Sequence, residues 1–184
     1  MLRKIALGLG GGVLALVAVF VLVVSLQKSQ FIITRSIEIN THAAAIYPQI
    51  SYFQNWMRWS PWSQMDPDAK YVYEGPEGQT GSSMSWNGNA QVGEGRMTIT
   101  ESETQQYIKI KLEFIKPMQA VNNTLFTLEA GSSENSTKVT WAMSGRRSFM
   151  EKAVNLVLDL DKLVGADFER GLEQLKQISE HGSL

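Results

Sequence analysis

The chain has 184 residues, no cysteine, and 17 Lys plus Arg against 18 Asp plus Glu, a formal net charge of -1. A balance so close to zero excludes the basic face on which a phosphate-backbone binder depends, so no nucleic-acid partner is expected. The lack of cysteine excludes a disulfide scaffold and thiol catalysis, and fits an exported or a cytosolic domain equally well.

After a tail, 1–4, that carries Arg3 and Lys4, the 22 residues from Ile5 to Leu26 contain no charge. At about 1.5 Å per residue such a helix covers about 33 Å, enough for one pass through a bilayer core of roughly 30 Å. The run is longer than the apolar core of a secretory signal, no A-x-A-like tripeptide lies in Ser25–Gln30, and the polar stripe of a buried core helix is missing. An uncleaved transmembrane helix, 5–26, is therefore expected. Gly8 and Gly12 stand four apart, but in a glycine-rich stretch that spacing arises by chance and predicts no dimer. Arg3, Lys4 and the terminal amine slightly outweigh Lys28 and Arg35, which puts the N terminus in the cytoplasm and the following domain across the membrane.

A linker, 27–30, leads into about 150 residues, the usual size of one domain. Phe31 to Asn40 alternates apolar and polar residues as a half-buried strand does. Thr41 is placed to cap the next segment, where Ala43–Ile50 and Tyr52–Met57 read as one or two short helices despite Pro48. Three tryptophans follow, at 56, 59 and 62. Strands are then predicted at Tyr71–Glu74, Ser83–Trp86, Ala90–Thr100, Ile108–Phe114, Val121–Glu129 and Thr137–Ser144. Asn87-Gly88 reads as a tight hairpin turn, and the short spacings imply an antiparallel meander. Val139, Trp141 and Met143 share one face of the last strand. From Met150 to Ile178 apolar residues recur every three or four positions, which predicts one long amphipathic helix with a bend or close approach at Gly165 or Gly171. Its apolar stripe must be covered, and the meander is the surface large enough to do so.

One strand, short helices, a meander and a long last helix form the order of an α+β helix-grip fold, in which an antiparallel sheet wraps the C-terminal helix. The stretches Asn55-Trp56-x-x-Trp59-Ser60-Pro61-Trp62, Gly78-x-x-Gly81-x-x-x-x-Trp86, Gly93-Glu94-Gly95-x-Met97-x-Ile99 and Asp167-Phe168-x-x-Gly171-Leu172-x-x-Leu175-Lys176 extend the likeness. They resemble the membrane-anchored bacterial members of the polyketide cyclase/dehydrase and lipid-transport proteins, in the START-like (SRPBCC) superfamily. The likeness covers a domain of residues 31–180, leaving a tail, 181–184. It implies a bacterial inner-membrane setting and a cavity for a hydrophobic small molecule or lipid between sheet and helix. It carries over no catalytic residue.

Residue chemistry points the same way. The histidines are His42 and His181, so a Ser-His-Asp arrangement would have to use His42, and none is expected; neither is a metal or other cofactor. Gly75–Gly81 lacks the following Lys-Ser or Lys-Thr of a phosphate loop and reads as a turn. Arg146-Arg147 fits an anionic headgroup, although a loop pair of this kind is more often ordinary surface charge. Candidate ligand-binding residues are Trp59, Trp62, Trp86, Met97, Met118, Trp141, Met143 and Phe149, drawn from separated segments toward one cavity, with Glu94 a polar partner if its register turns it inward. The expected function is a membrane-tethered binding protein for a hydrophobic or lipid-like small molecule held between sheet and C-terminal helix, with no protein partner specified. The rival is a cyclase or dehydratase, which needs an acid or base inside the same pocket.

Overall fold

The computed structural model describes the backbone from residue 2 to residue 182 and the side chains from Gly12 onward. Of the expected tails, Met1, Ser183 and Leu184 lie outside the described residues. Helix α1 runs Leu2–Leu26. The side chains of residues 5–11 of the expected transmembrane helix lie outside the description, and among the described residues no helix is long and apolar enough to cross a membrane. The chain divides into two compact units, one of residues 1–31 and 146–160, the other of residues 32–145 and 161–184.

The larger unit is built on a seven-stranded antiparallel sheet in the order β1-β7-β6-β5-β4-β3-β2. The strands are β1 (Gln30–Ile39), β2 (Lys70–Glu74), β3 (Ser83–Asn87), β4 (Glu94–Glu103), β5 (Tyr107–Lys116), β6 (Ala120–Ala130) and β7 (Thr137–Arg146). Alternation decides which face is covered: Ile33 and Ile39 on β1, Ile99 on β4, Ile108 and Ile110 on β5, and Val139, Trp141 and Met143 on β7 are all buried. Helix α4 (Leu160–His181) supplies Phe168, Leu172 and Leu175 to that core, spaced at four and three so that they share one stripe. Three polar ties run from α4 to β1 and the residue after it, Asn40. Lys176 Nζ donates to the Glu38 carbonyl at 2.9 Å, the Asn40 amide donates to Glu180 Oε1 at 2.6 Å, and Arg35 pairs with Glu169.

Helix α2 (Ala43–Ser51) buries Ile46, Tyr47 and Ile50. Its N-cap is His42, with no side-chain cap, and not Thr41 as the sequence predicts. The Thr41 carbonyl instead accepts from Thr137 Oγ1 at 2.7 Å, a tertiary bond that fixes the residue before the helix begins. Two 3₁₀ turns follow, Phe53–Arg58 and Pro61–Gln64. The Trp56 and Trp59 indole N–H groups donate to the Ile50 and Gln49 carbonyls, each at 2.8 Å. Both accept at the C-terminal end of α2, where helix carbonyls lack intrahelical partners, so tryptophan side chains anchor the turn that the sequence shows only as an aromatic cluster.

Two further expectations are corrected. Asn87-Gly88 does not form a two-residue hairpin. Asn87 pairs with Glu94, and residues 88–93 form a wider loop closed by Gly88 N donating to the Gly93 carbonyl at 2.8 Å. Asp66 and Asn89 dictate it: Asp66 Oδ2 accepts from the Asn89 amide at 2.5 Å, and Asn89 Oδ1 accepts from the Gln91 amide at 2.8 Å. The single last helix is also split, into α3 (Phe149–Asn155) and α4, and Gly165 and Gly171 both lie inside α4. Asn155 ends the first piece, its Oδ1 accepting from the Leu160 amide at 3.3 Å and so competing with helix continuation. Ser148 and Glu151 form a reciprocal capping box at the start of α3.

Glu38 joins β1 to the β6–β7 turn. Its carboxylate accepts from Ser132 Oγ at 2.6 Å, the Ser132 amide at 2.7 Å and Ser136 Oγ at 2.5 Å. The Ser132 hydroxyl, then the Ser136 hydroxyl and the Ser132 amide, hold the carboxyl down at about 2. A depressed folded value means that this stabilisation is complete above the unfolded value of about 4.3 and is lost as pH falls through the folded one. Glu38→Gln is expected to lower the melting temperature at neutral pH, with the difference from wild type shrinking below about pH 4.3. Circular-dichroism melts at stepped pH measure this, and a difference constant down to strong acid would contradict it.

Candidate functional site

Between the sheet, the 3₁₀ turns and α4 of the larger unit lies a partly open cavity of about 240 Å³. Register explains its sheet wall. Met84 on β3 stands opposite Met97 on β4, which stands opposite Leu112 on β5, so three flexible or branched apolar side chains form a row across adjacent strands. Thr124 and Met143, also paired in register, continue the wall on β6 and β7. The 3₁₀ turns contribute Trp56, Met57 and Trp62, and α4 contributes Val164, Asp167 and Phe168.

An aromatic cluster closes the inner end. The Trp141 and Phe168 rings stack with centroids 4.0 Å apart and planes within 5°. Trp62 meets both edge-on, at 5.8 Å from Trp141 and 6.3 Å from Phe168. Gly171 makes the approach of α4 possible, because a Cβ there would lie 3.0 Å from Trp141 Cζ3 and 3.1 Å from Pro61 Cδ. At the other end Trp86 stands opposite Gly95 in register, and its ring occupies the space a Gly95 side chain would take. Trp86 Nε1 donates to the Val92 carbonyl at 3.1 Å, and its ring meets Phe114 edge-on at 6.0 Å.

The lining is mostly apolar, with polar groups at Ser60, Ser63, Tyr71, Gln91, Thr124 and Asp167. Burial, then the nearby Asp66 charge, pushes the Tyr71 phenol above its ordinary value, so it remains a neutral hydrogen-bond donor. Arg170 pairs with the Asp167 carboxylate. Trp141 Nε1 is buried and has no hydrogen-bond partner among the described residues. Among the described residues no cluster of His, Asp and Glu is able to hold a metal ion.

Of the residues singled out from sequence, Trp62, Trp86, Met97, Trp141 and Met143 meet in this cavity. Trp59 is fully buried in the cluster behind it, 5.6 Å from Trp141. Glu94 stands on the face of β4 opposite to Gly95 and Met97 and pairs with Lys116 at 2.6 Å. Met118 is exposed in the β5–β6 turn, and Phe149 belongs to the smaller unit. Met84, Leu112 and Phe114 also line the cavity and are not among the residues singled out from sequence. Their signal was the strand alternation itself, which places them on the same face as Met97 once the pairing is known.

The sequence profile of the polyketide cyclase / dehydrase and lipid transport family matches residues 30–180. The chain belongs to that family. A comparison with curated proteins finds no match. Among solved structures, a Thermobifida fusca protein is 16% identical, with 80% of this chain and 92% of that one covered and a TM-score of 0.60. The Aha1 dimer from Colwellia psychrerythraea is 18% identical, covering 84% of this chain and 99% of that one, at a TM-score of 0.58. DynU16, from the dynemicin biosynthetic locus, is 11% identical at a TM-score of 0.57; the match covers 83% of this chain and 48% of DynU16, so this chain spans about half its length. At such identities these likenesses establish the fold.

Gly95→Ala, whose Cβ would press on both the Trp86 ring and the Glu113 carbonyl, is expected to cost about 1–3 kcal/mol, the range for overpacking a filled site. Urea unfolding measures the loss, and a variant as stable as wild type would show that neither the indole nor the neighbouring strand is held against Gly95.

Proposed function

We propose that the larger unit binds an apolar or amphipathic small molecule, of the lipid or polyketide kind, in the cavity between sheet and α4. We propose further that α1 tethers it to a membrane. The cavity is the observation that carries the first reading: it is lined chiefly by Trp, Met, Leu and Phe side chains and holds few polar groups. The unpartnered Trp141 indole N–H favours a ligand with one carbonyl, hydroxyl or ether oxygen, because a buried donor left unsatisfied costs about 1–3 kcal/mol. The tether rests on the charge-free run from Ile5 to Leu26 and on the exposed Val13, Leu14, Leu16 and Phe20 side chains of α1. The Arg3 and Lys4 flank favours the domain on the extracytoplasmic side, and the likeness to membrane-anchored bacterial members of the family favours a bacterial inner membrane.

A second reading, ring closure or dehydration of a bound substrate, is favoured by Asp167 and Tyr71 in the lining, a carboxylate and a neutral phenol within one apolar space. The two readings separate on Asp167→Asn, which leaves binding intact under the first and abolishes turnover of a polyketide substrate under the second.

Native mass spectrometry of the full chain and titration with a fluorescent fatty acid test the binding. The expected result is one molecule bound per chain, with uptake lost in Met97→Trp, whose indole fills the cavity, while thermal unfolding stays close to wild type. Equal uptake by both proteins would place the ligand elsewhere, and no uptake by either would end the reading.

A further inference from the structure

The smaller unit contains α1, the linker, the end of β7 and the segment 146–160. In it α3 is fastened to the end of α1. Lys152, itself buried, donates from Nζ to the Ser25 carbonyl at 3.4 Å, the Arg147 amide donates to the Ser29 carbonyl at 2.7 Å, and the Arg147 guanidinium lies 5.2 Å from the Phe31 ring centroid. Ser25 is in the last turn of α1, where unpaired carbonyls and the helix dipole favour a cation.

The apolar side chains of α3 and of the turn after it are left uncovered. Phe149, Met150, Val154, Leu156, Val157 and Leu158 are all exposed, Met150 at 59% and Val157 at 86%. Met150, Val154 and Val157 among them belong to the stripe that the sequence assigns to the last helix, and the break at Asn155 keeps them from continuing it. Isolated exposed apolar residues are ordinary, but six within ten positions form a patch that needs an occupant.

Two observations name it. The first is continuity: α3 is bonded to the C-terminal turn of a helix whose own Val17, Val19, Phe20, Leu22 and Leu26 are likewise exposed. The second is charge. The unit carries Arg3, Lys4, Lys28, Arg146, Arg147 and Lys152 against Glu151 and Asp159, a net of +4 in a chain whose total is -1. Apolar side chains set among basic residues complement the hydrocarbon boundary beneath anionic headgroups.

We propose that Phe149–Leu158 is a second membrane-seated element, which lies in the headgroup boundary of an anionic bilayer beside the end of α1 and enters it with Met150, Val157 and Leu158. The proposal rests on the tether proposed above. It differs from that tether in making the segment after β7 a lipid contact in its own right.

The chain has no native cysteine, so single reporters can be placed without background. Leu16→Cys, Met150→Cys, Val157→Cys and Lys138→Cys, each in the full chain and labelled with a polarity-sensitive fluorophore, are reconstituted into phosphatidylethanolamine–phosphatidylglycerol vesicles that contain brominated lipid. All four positions are exposed, so the substitutions spare the core. The expected result is strong quenching at positions 16, 150 and 157, several-fold above that at position 138. Quenching at 16 alone would overturn the proposal and leave the tether standing. Quenching at none of the positions would overturn both. A blue shift at 157 without lipid quenching would show that protein, a second copy or a partner, covers the patch, and would overturn the proposal.

Discussion

The stack of Trp141 on Phe168 holds the larger unit together. One ring comes from β7 and the other from α4, and their parallel contact fixes how deep the helix sits against the sheet. Such a pair adds about 0.5–1.5 kcal/mol beyond the area it buries, but its geometric effect is larger than its energy. Gly171, one turn beyond Phe168, removes the side chain that would hold the helix away, and Pro61 fills the space on the other side. Trp56, Trp59, Trp62 and Phe126 then pack edge-on or tilted around the stack. Two of these indoles are anchored to α2 carbonyls by their N–H groups, which makes the 3₁₀ turns a fixed wall.

The cavity follows from that arrangement. The inner end of α4 is drawn onto β7 by the aromatic stack, while the sheet extends to β3 and β2, far from β7 in strand order. Met84, Met97 and Leu112 on the intervening strands face a space that no side chain fills. A concave apolar lining of this kind leaves its side chains in contact with water that a ligand would displace. The retention of that space beside an unsatisfied indole donor is the physical basis for reading it as a binding site. The family match over residues 30–180 agrees with that reading at the level of class, and the residues of the lining describe what this chain in particular offers a ligand.

The smaller unit follows a different rule. Most of its described apolar side chains are exposed, Val24 being buried, and the bonds that fasten it are polar: the Lys152 ammonium on a helix-end carbonyl and the Arg147 amide on the Ser29 carbonyl. In water that inversion is unfavourable, since each exposed large apolar side chain forgoes the stabilisation of burial. Against hydrocarbon the same arrangement is favourable. The division of charge, net positive here in a chain close to neutral, is the electrostatic side of the membrane contact proposed for this unit.

Much of the larger unit was legible in the chain because two-residue and 3.6-residue periodicities are local. Ile108, Lys109, Ile110 and Lys111 announce a strand wherever they fold, and Phe168, Leu172 and Leu175 announce a helix face. The apolar run of α1 and the recurrence of Trp and Met were equally plain. Local pattern had no access to the partners that overruled it: Asp66 pulling Asn89 out of a tight hairpin, Thr137 occupying the Thr41 carbonyl, and Asn155 dividing one amphipathic stripe into two helices. The aromatic residues were visible as a set, but their separation into Trp59 in the core and Trp62, Trp86 and Trp141 around a cavity was not, since it depends on strand register and on the depth of α4. The sequence by itself determined the elements, their order and the apolar character of what they enclose, because these arise from neighbours along the chain. Tertiary structure alone decided that a hollow remains between them and that the stripe is half uncovered, because both depend on contacts between residues far apart in sequence.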